Sequence, residues 1–379
     1  MARICFIILG FLSFISCAVD ITPKNKGENN YIVDSCANQL KLKYAKKFSA
    51  DSFSWGYRLN ILTDEKVDSV STFYLVRQQY LDSVKQVLGE SSVVIEIPLK
   101  RFASNSTTHL EFYRLLDVLP SLCAICNSEY IYSDTVYGWV KSGRIVELGN
   151  SMQVNVERLM TAKPEVLFLS DSRETPNETV CPIVVCGEWR ESTALGRAEW
   201  LKFFSLFFDK YDLADSIFND IEKNYNVIKE KASKMPDNPT VFAGGNFGDT
   251  WYLTGGKGYM SALYEDANAT YVLRDTAVGT VTCGLEWVLT TMKDVDVWMN
   301  CQTDSRSAMD ARLSVLKSYK NGEIYNFNKR SAHRSAPAEI SDFYEEAVAH
   351  PDWLLEDIVA VLHPNDVPNY DTRYVKRVK

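Results

Sequence analysis

Residues 154–170 read VNVERLMTAKPEVLFLS, and this stretch predicts a short helix followed by a buried strand. The helix starts within residues 154–157 and runs through Thr161, and Pro164 ends it because proline cannot continue a helix. The four apolar residues Val166–Leu169 then form a strand that is buried on both faces. A strand of this kind is typical of a parallel sheet covered by helices.

The same alternation recurs on both sides of this stretch. Strands are predicted at 95–98, 122–126 and 182–186, and a helix capped at Ser106 follows the first of them. Strands that alternate with short helices favour a parallel sheet with helices on both faces. We therefore expect a first α/β lobe over residues 91–197.

From residue 199 onward the apolar spacing becomes helical. Between Ile217 and Ile228 apolar residues recur in steps of three and four, which predicts a helix over about 210–234 with Asp212 as its cap. At about 37 Å this helix is long enough to bridge two lobes. We assign residues 198–236 to linking helices.

Strand–helix alternation resumes in the last third of the chain. Strands are predicted at 240–243, 296–300 and 323–326, with helices near 258–266, from 285, around 308–319 and from about 339. These elements define a second α/β lobe over 237–379. The predicted fold class is α/β, with two doubly wound α/β lobes joined by a long rigid helix.

The N-terminus has the pattern of a signal peptide over residues 1–16. Arg3 gives a positive start, and residues 4–15 are a dozen almost entirely apolar residues, which at about 18 Å are too short to cross a bilayer. Residues 14–17, Phe-Ile-Ser-Cys, resemble a bacterial lipobox, so Cys17 is the expected lipid attachment site. An ordinary secretory signal with an incidental cysteine is the alternative. Residues 17–90 are assigned to a tether and an N-terminal extension.

Composition excludes several functions. The 379 residues carry a net charge of −8, which disfavours nucleic acid as a partner because nucleic-acid binding needs a basic surface. No apolar run reaches the roughly 18 residues that a transmembrane helix requires, so channels and permeases are excluded.

The sequence lacks the common enzyme motifs. It contains no Gly-x-Ser-x-Gly, no His-Glu-x-x-His and no Walker phosphate loop, and its four histidines are scattered, which disfavours a dedicated metal site. Cys123-x-x-Cys126 could be a redox pair but lacks the usual position at a helix start. Residues 255–258, Gly-Gly-Lys-Gly, could cradle a phosphate, although a tight turn is the preferred interpretation.

Three segments carry a resemblance to the periplasmic substrate-binding proteins of ABC importers for iron chelates, haem and cobalamin. They are residues 155–169, residues 191–200 (ESTALGRAEW) and residues 285–298, in an order that spans both predicted lobes. The tail, through residues 342–345, 351–357 and 362–364, resembles the long-form lipidated members. Ala194 stands where these proteins usually have proline, and residues 331–337 are unusually polar.

The resemblance implies a ligand cleft between the lobes and a linking helix that permits only a small closure. It also implies that Glu157 and Glu286, one on each lobe, meet arginines on the two halves of the importer permease. A glutamate in the first turn of a helix also complements the helix dipole, and this alone could explain either residue.

Ligand-binding residues are expected where the carboxyl ends of strands from both lobes converge. We predict Tyr132, Tyr137 and Trp189 in the first lobe, and Trp251 and Arg330 in the second. Aromatic rings offer flat faces to a metal chelate or a tetrapyrrole, and an arginine can pair with its carboxylates. Core packing is the alternative role for each aromatic residue.

The resulting hypothesis is a monomeric, membrane-anchored lipoprotein of the periplasm that is no enzyme and needs no cofactor of its own. It would capture an iron complex, a ferric siderophore or haem, and deliver it to an ABC importer permease. Cobalamin is the alternative ligand. A secreted surface enzyme and an adhesive lipoprotein are alternatives from other classes, but the first lacks a candidate nucleophile or acid pair and the second has no use for the two glutamates.

Overall fold

The computed structural model of the chain describes residues 20–23, 31–34, 37–62, 70–176, 180–274, 277–334 and 340–379. The first two segments are strands β1 (Asp20–Pro23) and β2 (Tyr31–Asp34), which pair antiparallel. The predicted signal peptide and Cys17 lie outside the described residues.

A five-stranded sheet precedes the first lobe. Its strands, in spatial order, are β3 (Asn38–Gln39), β4 (Phe48–Phe53), β5 (Gly56–Leu62), β6 (Val70–Arg77) and β7 (Val93–Ile97). Neighbouring strands are antiparallel except β6 and β7, which helix α1 (Leu81–Leu88) connects in parallel.

Strand β7 corrects one assignment made from the sequence. The strand predicted at 95–98 exists, but it belongs to the N-terminal sheet and not to the first lobe. Its register pairs Ile95 with Leu75 of β6, and both side chains are buried in one apolar cluster with Leu59. Burial against these neighbours fixes the strand in this sheet. The other domain boundaries stay predictions.

The first lobe is built on five parallel strands. They are β8 (Phe102–Ser104), β9 (Leu122–Ile125), β10 (Val146–Glu147), β11 (Val166–Leu169) and β12 (Ile183–Val185), with helices α2 (Leu110–Leu115), α3 (Asp134–Lys141) and α4 (Val156–Ala162). The spatial order β10-β9-β8-β11-β12 reverses at β8, which is the doubly wound arrangement. The strands predicted at 122–126, 166–170 and 182–186 are confirmed.

Both faces of this sheet are buried. In β11, Phe168 packs in a cluster with Phe204, whereas the adjacent Leu167 packs in a separate cluster with Leu159 of α4. Successive residues of a strand point to opposite faces, so the unbroken apolar run of β11 supplies two cores at once.

Three helices link the lobes: α5 (Ala194–Ala198), α6 (Trp200–Leu206) and α7 (Tyr211–Ala232). The 22 residues of α7 correspond to about 33 Å, which confirms the predicted bridging helix. Ala214 near its start packs in the first-lobe core, and Phe218 and Tyr225 pack in the second-lobe core. Asp212 lies in the first turn, and Lys210 takes the cap position.

The second lobe has a parallel centre with antiparallel edges. The parallel strands are β13 (Thr240–Phe247), β15 (Thr270–Tyr271), β17 (Val297–Met299) and β18 (Ile324–Asn326), and the antiparallel ones are β14 (Thr250–Thr254), β16 (Thr280–Cys283) and β21 (Lys376–Arg377). A separate pair consists of β19 (Ser331–Ala332) and β20 (Ile340–Ser341).

The helices of the second lobe are α8 (Tyr259–Asp266), α9 (Leu285–Thr291), α10 (Lys317–Asn321) and α11 (Pro351–Leu362). Two of them differ from the sequence prediction. The helix expected around 308–319 is a 3-10 turn, Ala311–Val315, followed by α10, and the closing helix begins at Pro351 and not near residue 339.

Candidate functional site

Loops at the carboxyl ends of the first-lobe strands enclose an open pocket of about 300 Å³, called here the first-lobe pocket. Because parallel strands end at the same edge of a sheet, the loops after β8, β11 and β12 meet there. The pocket is lined by Ser106, Thr108, Met152, Ser170, Asp171, Arg173, Glu174, Glu188, Trp189 and Arg197.

A hydrogen-bond network fixes one wall of this pocket. The Asn105 side chain donates to Glu174 (2.5 Å) and accepts the backbone N–H of Ser170 (2.8 Å), and the Ser170 hydroxyl also donates to Glu174 (2.8 Å). The Trp189 indole donates to the Ser170 carbonyl oxygen (2.8 Å), which holds the ring at the pocket wall with 41% of the residue exposed. The structure therefore places Trp189 where the sequence predicted a ligand contact.

Behind the wall lies a buried group of charged side chains. Glu188 is 1% exposed, and its carboxylate lies 3.4 Å from Nε2 of His109 and 3.9 Å from the Arg197 guanidinium. Burial alone would raise the pKa of Glu188, but His109 and Arg197 outweigh burial, and the net pKa is lowered. Glu188 is thus held as a carboxylate beneath the pocket.

A second pocket, of about 200 Å³, lies at the carboxyl ends of β17 and β18 and is called the second-lobe pocket. It is lined mainly by amide and hydroxyl side chains: Asn300, Gln302, Asp304, Asn326, Phe327, Asn328, Ser341 and Tyr344. Tyr344 is 55% exposed, so its ring is available to a ligand. Gln302 and Asp304, in the loop after β17, belong to this lining.

A series of side-chain contacts runs from the first-lobe pocket to the second-lobe pocket. Arg197 of α5 stacks over the ring of Tyr259 of α8, with 4.9 Å between the guanidinium carbon and the ring centroid. These two residues and Phe343 line a cavity of about 10 Å³, room for a single water molecule. Phe343 in turn packs against Tyr344 of the second-lobe pocket, at 5.0 Å between centroids.

Tyr132, Tyr137 and Arg330, all predicted ligand residues, come together with Arg334 and Glu345 in a contact between the lobes, called here the lobe clasp. Arg334 donates to the Tyr132 carbonyl oxygen (2.7 Å) and stacks over the Tyr137 ring (4.1 Å). Glu345 accepts the backbone N–H groups of Tyr132 (2.8 Å) and Ser133 (3.2 Å).

Arg330 is occupied within the clasp. Its guanidinium pairs with Asp342 at 2.8 Å and with Glu346 at 2.7 Å, and it lies over the Tyr132 ring at 5.7 Å. Asp342 and Glu346 therefore already pair with the guanidinium for which the sequence predicted a ligand carboxylate.

Trp251 was predicted as a ligand contact, but it does not lie in an exposed loop. It lies in β14, is 2% exposed and packs against Trp298 at 5.6 Å between ring centroids. Alternation along the strand turns Trp251 and Leu253 inward and Tyr252 outward. Trp251 forms part of neither pocket of the cleft, and backs a separate pocket beside Glu286.

Glu157 and Glu286 occupy equivalent positions in the two lobes. Each is the second residue of a seven-residue helix, α4 or α9, and each is exposed. In each helix a threonine one turn later donates its hydroxyl to the glutamate carbonyl oxygen at 2.9 Å, from Thr161 and from Thr290. Both carboxylates are free of ion pairs among the described residues, which suits contacts with an external cation.

Two further motifs have structural explanations. Cys123 and Cys126 are buried free thiols in and directly after β9, and burial raises the pKa of Cys126 to about 12, which disfavours the reactive thiolate. In the segment 255–258 the Lys257 backbone N–H already bonds the Ala277 carbonyl oxygen (3.2 Å), and a Cβ on Gly256 would lie 1.7 Å from the Leu273 carbonyl oxygen. The glycines permit a close backbone approach, as a tight turn requires.

Sequence reasoning missed Glu188, Arg197 and Tyr344 as cleft residues. Glu188 lies three residues after the end of β12 at Val185 and next to Trp189, so the rule that selected Trp189 could have selected it as well. Arg197 lies on a helix one step further along the chain, and only the packing of α5 against α8 brings it to the cleft.

Two α/β lobes, a helix that enters both cores and pockets at the strand ends of each lobe define the class of two-lobed binding proteins. A family model described as "Periplasmic binding protein" matches residues 125–329, more than half of the chain. The chain belongs to this family.

The known relatives agree with this assignment. An uncharacterized lipoprotein of Methanocaldococcus jannaschii is 23% identical over 385 aligned residues, covering 94% of this chain and 90% of the relative. The structure of a periplasmic haem-binding protein from Pseudomonas aeruginosa is similar with a TM-score of 0.57 at 12% identity, covering 74% of this chain and 98% of that one. An ABC-type Fe3+-hydroxamate transport protein from Saccharomonospora viridis is similar with a TM-score of 0.53 at 17% identity, covering 70% and 94%.

At these identities the structural likeness shows the fold. Membership of the periplasmic binding protein family makes the chain a binding protein and not an enzyme. An ABC transporter substrate-binding protein from Listeria monocytogenes has a similar structure, with a TM-score of 0.52 at 14% identity, covering 70% of this chain and 99% of that one. Within the described residues, no helix combines the length and apolarity needed to span a bilayer.

Proposed function

We propose that this protein is a lipid-anchored binding protein that captures an iron complex, a ferric siderophore or haem, and delivers it to an ABC importer. The observation that carries the proposal is the placement of two polar, aromatic-containing pockets at the strand ends of both lobes, connected through the Arg197–Tyr259 contact. Together they provide roughly the volume that a small-molecule ligand occupies.

The lining of the pockets favours a large, oxygen-rich ligand. Trp189 and Tyr344 offer exposed aromatic faces, one from each lobe. Amides such as Asn300 and Gln302 offer donors and acceptors in the second-lobe pocket. A metal chelate with an oxygen-rich outer surface, or a flat tetrapyrrole with polar side groups, matches this combination. The proteins of similar structure include a haem-binding protein and a member of an Fe3+-hydroxamate transport system.

Delivery to the importer would use Glu157 and Glu286. Their equivalent, exposed positions on two lobes let a permease with two arginine-bearing halves contact each lobe separately. The relative named as a lipoprotein supports a periplasmic location at a membrane, with Cys17 as the proposed site of lipid attachment.

Fluorescence titration tests the ligand class. Trp189 lies in the first-lobe pocket, so an iron complex that enters it should quench part of the intrinsic tryptophan emission. We expect saturable quenching by a ferric siderophore or by haem, and a smaller amplitude in Trp189→Phe at similar affinity. Binding of cyanocobalamin alone, or of none of these compounds, would contradict the proposed ligand class.

A further inference from the structure

We infer that Arg197 is the anion-binding residue of the cleft, and that the ligand presents a carboxylate or catecholate oxygen to it. This inference rests on the proposed function and names the chemical feature of the ligand. It starts from one observation: Arg197 is 9% exposed, lines the first-lobe pocket, and its Nε has no hydrogen-bond partner among the described residues.

Glu188 balances the buried charge of Arg197, but the Nε–H of the guanidinium has no hydrogen-bond acceptor among the described residues. The nearest carboxylate, on Glu188, lies 3.9 Å away, beyond hydrogen-bond distance. The oxygens of Glu188 lie closer to His109 Nε2 and to the Thr108 hydroxyl, both at 3.4 Å. A buried N–H without an acceptor is unfavourable, so a ligand oxygen that reaches this guanidinium gains a site already desolvated by the protein.

Two other arginines, Arg173 in the pocket wall and the neighbouring Arg190, are engaged differently. Arg173 is exposed and donates twice to Asp171, at 3.1 Å from Nε and 2.8 Å from Nη2. Arg190 pairs with the same carboxylate at 3.5 Å and lies over the Trp189 ring at 4.8 Å. Asp171 therefore takes up both of these cations, whereas Arg197 keeps a donor for the ligand.

The position of Arg197 also couples ligand binding to the second lobe. The ring of Tyr259 lies against the guanidinium and limits its orientation, so an anion bound to Arg197 rests beside residues of both lobes. A planar oxyanion suits this arrangement because guanidinium donates in a flat fork. Among iron complexes, those with exposed carboxylate or catecholate oxygens meet the requirement, and an uncharged ferric tris-hydroxamate does not.

The test compares anionic and neutral complexes on purified full chain. Wild type and Arg197→Gln are titrated with haem, ferric citrate, a ferric tris-catecholate and a neutral ferric tris-hydroxamate, with Trp189 emission as the signal. We expect Arg197→Gln to weaken binding of the anionic complexes about ten- to a hundredfold, since hydrogen bonds between charged groups have that strength, and to leave the neutral complex within about threefold. Arg197→Lys, which keeps the charge but loses the fork, should be intermediate.

Arg58→Gln is the matched control, because it removes an arginine that lies outside both pockets and whose donors are already paired with Asp51, at 3.0 Å from Nε and 2.6 Å from Nη2. It should change every affinity by less than about threefold, and thermal melts establish that each variant is folded. Equal binding of an anionic complex by wild type, Arg197→Gln and Arg197→Lys would overturn the role of Arg197 while leaving the proposed function intact. If wild type binds only the neutral complex, the inference also fails, and if wild type binds none of the four, the proposed function fails with it.

Discussion

Glu345 carries a carboxyl group that is buried between the lobes, where it accepts the backbone N–H groups of Tyr132 and Ser133. Burial, with smaller contributions from Asp342 and Glu111, raises the pKa of Glu345 to about 8, and burial likewise raises the pKa of Asp342 to about 7. The folded protein therefore retains protons that the unfolded chain releases near pH 4. Stability linked to these groups is fully present below that pH and is lost as pH rises toward 8.

We predict that Glu345→Gln flattens this pH dependence. The amide keeps an acceptor for one backbone N–H but cannot titrate, so the melting temperature of the variant should fall less than that of wild type between about pH 5 and pH 8. Thermal melts monitored by circular dichroism measure the difference, and exposed Glu129→Gln is the control. If the melting temperatures of wild type and Glu345→Gln changed with pH in parallel, the Glu345 carboxyl group would not titrate in this range.

The placement of individual side chains was only partly predictable from the sequence. Trp189 directly follows a strand end, and a local rule was enough to place it at the pocket. Trp251 was predicted as a ligand contact and is instead buried within β14, because its orientation depends on the pairing of β14 with β13 and β16, which no local pattern fixes. The pairing of Arg330 with Asp342 and Glu346 depends on how residues far apart in the chain dock.

At the level of elements, the N-terminal sheet is tied to the first lobe by two buried carboxylates. Glu199 accepts three consecutive backbone N–H groups, from Lys43 (3.0 Å), Tyr44 (2.8 Å) and Ala45 (2.9 Å), and Glu191 accepts the next two. The N-terminal extension is thus an integral layer of the first lobe and not a loose tether from residue 43 onward.

Removal of this anchor should destabilise the protein strongly. Glu199→Ala leaves three backbone N–H groups without an acceptor and removes one of the two carboxylates that pair with the buried Lys202 ammonium, at a cost of about 3 kcal/mol or more in the free energy of unfolding. Urea denaturation measures this cost, and exposed Glu129→Ala should leave the transition nearly unchanged. A loss below about 1 kcal/mol for Glu199→Ala would mean that the segment 43–45 is not held as described.

A second prediction concerns the stability of the bridging helix α7. Lys223 is exposed in its interior, so Lys223→Pro removes a helical hydrogen bond without touching a core contact and should cost about 3 kcal/mol, whereas Lys223→Ala should be nearly neutral. The two variants are compared by urea denaturation and by small-angle scattering, which reports the separation of the lobes. If Lys223→Pro and Lys223→Ala had the same stability and the same scattering profile, α7 would not be a continuous rigid helix between the lobes.

Elements with strong local periodicity were predictable, and elements defined by long-range pairing were not. The four-residue apolar strands of the first lobe and the 22-residue α7 stand out in the sequence because burial on both faces, or on one helical stripe, leaves an unmistakable pattern. Strand β7 looks like a first-lobe strand by the same criterion, and only its pairing with β6 assigns it to the N-terminal sheet.

At the scale of the whole molecule, binding and delivery should be separable. The exposed carboxylates of Glu157 and Glu286 lie outside both pockets, so Glu157→Lys combined with Glu286→Lys should abolish uptake by cells while the affinity for the ligand stays within about twofold. Uptake of an iron-55 complex and fluorescence titration provide the two measurements. Glu129→Lys combined with Glu90→Lys, at two exposed positions outside both pockets, controls for the change in net charge. Normal uptake by the double variant would refute the docking role.

The central claim is that one ligand is held between both lobes, and calorimetric titration of one variant from each lobe tests it most directly. Trp189→Ala in the first-lobe pocket and Tyr344→Ala in the second should each weaken binding of the same iron complex about tenfold, because each removes an aromatic contact. Phe247→Ala, an exposed aromatic residue that lines neither pocket, should leave the affinity unchanged. Loss of affinity from one lobe only, with the other variant binding like wild type, would contradict a ligand gripped between the two.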